Sequence, residues 1–353
     1  MTVDARHETP LPDWQQMTDV QRDRWATVLG TLAATVPAGA VGLVIDGRDA
    51  AAVADRLAET LLSAGRPCIR LTDATPLADE DRWFIERTPS TVALADGPRW
   101  RAEPPAAAWD LVIWLRTREP QPRQETSDDA DIVVDLADPA WPIIRRIHRR
   151  VATPDHWYVT ESQAFFALRA ATWDTKFGDD LPAYAAAVAQ LDPPPGGTAL
   201  DLGCGTGRAL PALRKAVGPA GSVIALDLTP DMLRAARAAD RAHHAALILA
   251  DAHHLPLADA TVHTVFAAGL LNHLHDLHTG LRELTRVTRP AARLAIFHPS
   301  GRAALAARHG RTLRPDEPLS EQRLRHSLNA TGWALTAYDD SPHRFFALAI
   351  RST

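Results

Sequence analysis

"TALDLGCGTGRAL", residues 198–210, decides the reading of the carboxyl-terminal half of the chain. A short apolar run ends in Asp201, and Gly203, Gly205 and Gly207 follow at alternate positions before helix-forming residues resume. Glycines in such a row permit a sharp turn and a close approach of the main chain to a ligand, because no Cβ intervenes. A dinucleotide-binding loop would carry its third glycine one residue later, where the helix start receives a pyrophosphate. That position is Arg208, so the loop does not have dinucleotide spacing.

Two further acids extend the pattern. "VIALDLTPDML", 223–233, ends a second strand at Asp227, where a carboxylate can accept both hydroxyls of a ribose. "LILADAHHLPL", 247–257, places Asp251 and Ala252 at the next strand end. Three strand-end acids in this order and at these intervals resemble class I S-adenosylmethionine-dependent methyltransferases, most closely the small-molecule enzymes of the ubiquinone/menaquinone-biosynthesis type. The resemblance covers roughly residues 160–353. It implies S-adenosylmethionine as cofactor, a ligand with a sulfonium and an amino-acid tail but no phosphate, which accounts for the early third glycine. It also implies that Gly203, Gly205 and Gly207 cradle that ligand beside Asp201, and that Asp227 holds the ribose. Asp251 and Ala252 would meet the adenine through a carboxylate and a backbone N–H, with Leu228 and Met232 against the ring faces. Ala268, at the fourth strand tip, is counted with this set, and Trp173 in "AATWDTKF" is expected to cover the methionine tail or to fill the core.

Methyl transfer is an in-line displacement, and positioning alone can supply much of the rate. An acceptor that must lose a proton calls for a base, and histidine titrates in the right range. "FAAGLLNHLHD", 266–276, offers His273, the first choice, and "FHP", 297–299, offers His298, the second; pocket lining or helix capping is the competing role for each. The spacing of His273, His275 and His278 does not converge three rings, so no metal site is expected. His243, His244, His253 and His254 read as solvated. "AAGLLN" is not the Asn/Asp-Pro-Pro-Tyr/Phe tetrapeptide of exocyclic-amine methyltransferases, which disfavours DNA adenine as acceptor.

The amino-terminal half holds another strand, glycine and helix in "VIDGRDAAAVADRL", 44–57. A working phosphate-binding loop needs a second glycine, a lysine and a hydroxyl residue, which here are Ala52, Val53 and Ala54. Residues 1–175 contain no lysine that could substitute, and Arg48 precedes the turn. The runs "VGLVIDG", "PCIRL", "WDLVIWL" and "DIVVDLADPAWPIIRR" follow the order of the uridine-kinase-like branch of P-loop kinases, over about residues 20–150. The resemblance implies a degenerate, catalytically dead kinase-like domain, with Asp96 a polar strand end. "PAWPIIRRIHRRV", 139–151, reads as its closing helix, and 116–130 as a surface loop.

The expected fold class is therefore α/β with two doubly wound domains, residues 1–152 and 153–353. The second carries a seven-stranded Rossmann-like sheet ending in an antiparallel hairpin around Ser341 and Pro342. A chain of 353 residues suits two domains, and its two cysteines, Cys68 and Cys204, support neither a disulfide framework nor a thiolate zinc site. A net charge of −5 disfavours nucleic acid as partner, and no apolar run is long enough to cross a bilayer. The amino terminus has acids and prolines where a secretory signal would be basic and then apolar, so a cytoplasmic location is expected. The expected partner is a small-molecule methyl acceptor, with homodimerisation open. The rival function is a regulatory protein that binds cofactor or nucleoside without turnover.

Overall fold

A computed structural model describes residues 11–72, 75, 91–102, 109–117, 129–177, 180–308 and 312–352. The first ten residues and most of the expected loop 116–130 lie outside that set. The chain divides into two compact units, residues 1–161 and 162–353. No helix among the described residues is long and apolar enough to cross a membrane.

In the first unit, Val41–Gly47 (β1) is buried on both faces, as a central parallel strand must be. Leu43 and Ile45 join a core with the helices Asp19–Thr35 (α1) and Ala50–Ser63 (α2), and Val44 packs with Trp100 and Trp109 on the opposite face. Thr18 and Gln21 form a capping box that starts α1, each side chain meeting the other's backbone N–H. The remaining strands are Cys68–Leu71 (β2), Val92–Asp96 (β3), Leu111–Arg116 (β4), Ile132–Asp135 (β5) and Ile143–Ile147 (β6), in the order β2-β3-β1-β4-β5-β6. All pair in parallel except β6, which lies antiparallel to β5.

The expected closing helix over 139–151 is thus a strand. Ile143, Ile144 and Ile147 fit either period, and three β-branched residues after Pro142 favour the extended backbone. The edge then receives arginine: Arg150 clasps Asp131 through two bonds of 2.6 Å. Arg24 is buried against Glu161 and donates to Pro142 O at 2.7 Å. Burial raises the Glu161 pKa, opposed by Arg24 and by the Ile144 N–H.

The second unit contains Thr198–Leu202 (β7), Ser222–Asp227 (β8), Ala246–Leu249 (β9), Val262–Ala268 (β10), Thr288–His298 (β11), Trp333–Ser341 (β12) and Arg344–Arg351 (β13). Their order is β12-β13-β11-β10-β7-β8-β9, with β13 antiparallel to both neighbours and the other pairs parallel. The seven strands and the hairpin at 341–344 are those expected. Alternation along β10 and β11 builds a core on each face: Val265, Ala267, Leu294 and Ile296 face one way, Phe266, Ala295 and Phe297 the other.

Candidate functional site

Order in the second sheet fixes where a crevice must open. The chain steps outward from β7 through β8 to β9, then returns to β10 on the other flank of β7, so the connections leave β7 and β10 in opposite directions. A ligand site in such a sheet lies at the carboxyl ends of the strands, at that reversal. The loop 203–209 leaves β7 there, and Gly269 and Leu270 follow β10.

The glycine loop is shaped by three left-handed residues, Gly203 at φ 70°, Gly205 at φ 54° and Gly207 at φ 80°. A Cβ on Gly203 would come within 2.8 Å of Leu270, and one on Gly207 within 2.9 Å of Leu210, so both serve packing. At Gly205 the nearest heavy atom would be Met232 Sδ at 4.0 Å. That glycine alone of the three faces space.

Asp201 is 2% exposed, and its Oδ2 meets no hydrogen-bond partner among the described residues. Burial, reinforced by Asp227, pushes its pKa up to about 8. Asp227 accepts from Gly205 N at 2.8 Å and from Thr229 N at 2.7 Å. Burial raises its pKa as well, while these backbone donors oppose the shift. A carboxylate oxygen accepts more than one bond, so Asp227 binds the loop and retains acceptor capacity. Leu228 follows it and accepts from Gln163 at 2.9 Å through its carbonyl, and Met232 is buried beneath the loop.

Asp251 and buried Ala252 lie just beyond β9. One oxygen of Asp251 accepts from both His253 N, at 3.0 Å, and His253 Nδ1, at 2.7 Å. His253 is only 5% exposed, which corrects its reading as a solvated residue: an Asx-type turn at the strand end folds its ring inward. His254 is exposed, as read.

His273 ends a short 3₁₀ turn, Leu271–His273, that follows β10. Its ring centroid lies 5.0 Å from Phe166 and 6.0 Å from Phe165, and Phe166 lies 5.9 Å from Trp173. His298 ends β11 with Nδ1 held at 3.0 Å by Ser300 N and 2.9 Å from Ser300 O. A Cβ on Gly269 would come within 3.8 Å of its Cδ2, so the two strand tips adjoin.

Trp173 opens a short helix, Trp173–Phe177, whose next residue the sequence did not single out. Asp174 accepts from Thr206 Oγ1 at 2.6 Å and pairs with Arg241 at 2.7 Å, and Arg208 Nε lies 3.8 Å away. Arg208 is itself buried and pairs with Asp180 at 2.9 Å. Thr206 and Arg208 of the glycine loop, together with Arg241, therefore tie that loop to the Trp173 helix. No local periodicity could have signalled this, because the partners are 32 and 67 residues from Asp174 in sequence. No group of three or more histidine, cysteine or acidic side chains suited to a metal occurs among the described residues.

These features make the carboxyl ends of β7, β8, β9 and β10 the candidate site of this seven-stranded sheet. Residues 200–296 match the family described as "Methyltransferase domain". The chain is 41% identical over 110 residues to the "Uncharacterized 37.1 kDa protein in transposon TN4556" of Streptomyces fradiae, spanning 31% of this chain and 32% of that one. It is 34% identical over 112 residues to the "Ubiquinone/menaquinone biosynthesis C-methyltransferase UbiE" of Burkholderia mallei (strain SAVP1), spanning 31% of this chain and 46% of that one. The matches span less than half the length of these relatives. A "SAM dependent methyltransferase from Aquifex aeolicus" aligns with 52% of this chain and 98% of its own at 23% identity and a TM-score of 0.43.

Proposed function

We propose that residues 162–353 form an S-adenosylmethionine-dependent methyltransferase acting on a small molecule. The observation that carries this reading is Asp201: a buried carboxylate with an oxygen unsatisfied among the described residues, beside a glycine loop in which a Cβ on the middle glycine would meet no described atom nearer than 4.0 Å. A cationic ligand fits those two features, since it would satisfy the oxygen and stabilise its charge. S-adenosylmethionine, when bound, supplies a methyl group activated on a sulfonium. Asp201 would favour the cationic end, Gly203, Gly205 and Gly207 the close backbone approach, and Asp227 the ribose. Asp251 and Ala252 would meet the adenine, between Leu228 and Met232, with Ala268 at the crevice floor and Trp173 over the tail.

For an acceptor that loses a proton, His273 is the proposed base, in an aromatic setting that would exclude water, and His298 the second candidate, through Nε2. The match to the methyltransferase family and to a UbiE relative supports a small-molecule acceptor. Titration calorimetry with S-adenosylhomocysteine tests the reading. Micromolar binding is expected, weakened by about 100-fold in Asp227→Ala, which removes a charged acceptor and unties Gly205. No heat at high micromolar ligand, or equal heats from the two proteins, would overturn it.

For residues 1–161 the proposal is a degenerate kinase-like shell. The position of β1 between β3 and β4 and the passage from β1 through a glycine turn into α2 support it. The proposed loss of phosphate chemistry fits the close approach of Gly47 to the Leu115 carbonyl and the pairing of Asp96 with Arg70 at 2.7 Å.

A further inference from the structure

We infer that His253 is a positioning residue that ties the adenine end of the proposed cofactor site to the loop carrying His273; the inference rests on the reading of Asp251 as an adenine contact. His253 Nε2 lies 3.2 Å from the backbone nitrogen of Asp276. That N–H can only donate, so Nε2 must present its lone pair, which assigns the ring proton to Nδ1. The proton is then donated to Asp251 Oδ1 at 2.7 Å. One buried ring thus faces a carboxylate at the tip of β9 with one nitrogen and the backbone that follows β10 with the other.

Asp276 is a junction in its own right. As N-cap of the helix Leu277–Val287, its side chain accepts from His278 N at 3.0 Å, Thr279 N at 3.2 Å and Thr279 Oγ1 at 3.0 Å. The helix therefore fixes one side of residue 276 and His253 the other, and the 3₁₀ turn that ends in His273 is three residues away. Imidazole is rigid, so a ligand that draws the Asp251 carboxylate moves or stiffens the acceptor that Asp276 uses. A core histidine would also need both nitrogens satisfied; what distinguishes this one is that its two partners belong to the tip of β9 and to the backbone after β10.

The two halves of the link can be separated, because an asparagine amide approximates Nδ1 and a glutamine amide approximates Nε2. Hydrogen exchange across residues 270–279 is followed with and without S-adenosylhomocysteine, alongside calorimetry of the same proteins. In the wild-type chain the ligand is expected to slow exchange there about tenfold, and adenosine alone to do the same, whereas methionine does not. His253→Asn should keep the affinity within about threefold and lose the slowing; His253→Gln should keep the basal exchange and lose affinity about fivefold or more. Both variants behaving alike would overturn the inference. So would a wild-type chain that binds the ligand without slower exchange in 270–279, a result that needs no variant to fold. A wild-type chain that binds no ligand overturns this link together with the methyltransferase reading.

Discussion

Two turns in this chain have the same outline, an apolar strand running through glycine into a helix, and they use glycine for opposite reasons. At Gly47, φ is 112° and a Cβ would lie 2.4 Å from the Leu115 carbonyl oxygen: the glycine lets β1 end against the backbone of β4. At Gly205, φ is 54° and a Cβ would meet nothing nearer than 4.0 Å. The first glycine is needed because the protein is already there. The second has room for a Cβ among the described residues, with Met232 Sδ the nearest atom at 4.0 Å. A motif's glycine signals a ligand only when no atom of the chain takes the room it provides.

The largest effect expected from this contrast is a crossed pair of alanine variants. Gly47→Ala forces an L residue into the left-handed region, at a cost of about 1–3 kcal/mol, and adds overlap with a carbonyl that cannot move aside. It should lower the thermal midpoint of the first unit and leave the affinity for S-adenosylhomocysteine as in the wild type. Gly205→Ala pays a left-handed cost of about 1–2 kcal/mol without a clash, and its Cβ stands where a ligand would approach. It should fold and lose at least about tenfold in affinity. Wild-type affinity in Gly205→Ala would break the comparison.

A smaller effect is expected from the tie between the glycine loop and the Trp173 helix. The buried Thr206 hydroxyl and Arg241 both reach Asp174, and a charge-assisted bond of this kind contributes roughly 1.5–3 kcal/mol. Asp174→Ala should speed dissociation of S-adenosylhomocysteine about tenfold with little change in association, read by stopped-flow competition. Thr206→Val should show a lesser change and Thr206→Ser almost none. Equal off-rates in Asp174→Ala and the wild type would show that this helix does not bear on the ligand.

Much of the second unit was legible because the same residues that shape the fold carry the pattern. Asp201, Asp227 and Asp251 stand at consecutive strand ends, and strand, turn and helix boundaries announce them together. The error at 139–151 had a different origin: Ile143, Ile144 and Ile147 satisfy both periods, and a strand of five residues is too short for periodicity to decide. His253 was misread because its burial depends on where Asp276 arrives, 23 residues later. Asp174 was missed because its partners lie on the glycine loop and at Arg241, far away in sequence. Local pattern locates strand tips; it does not say which side chains the tertiary fold turns inward upon them.

The finest test concerns one proton. Asp201 has its pKa pushed up to about 8, first by burial and then by Asp227, from the ordinary aspartate value of 3.8. Between those values the folded chain keeps a proton that the unfolded chain has released. The group's contribution to stability is therefore present in full at acid pH and is lost as pH rises through about 8. A cationic ligand beside the carboxylate favours the charged form and reverses this preference. Binding S-adenosylhomocysteine, through its ammonium group, should thus release most of one proton at pH 7 and progressively less as pH rises through about 8. Calorimetry in buffers of different ionisation enthalpy reads that release directly as a slope. Asp201→Asn should remove the larger part and leave what Asp227, also raised by burial, contributes. A wild-type slope of zero at pH 7 would mean that the orphaned oxygen under the glycine loop does not face the ligand's charge, and the parallel drawn with the filled turn at Gly47 would then rest on space alone.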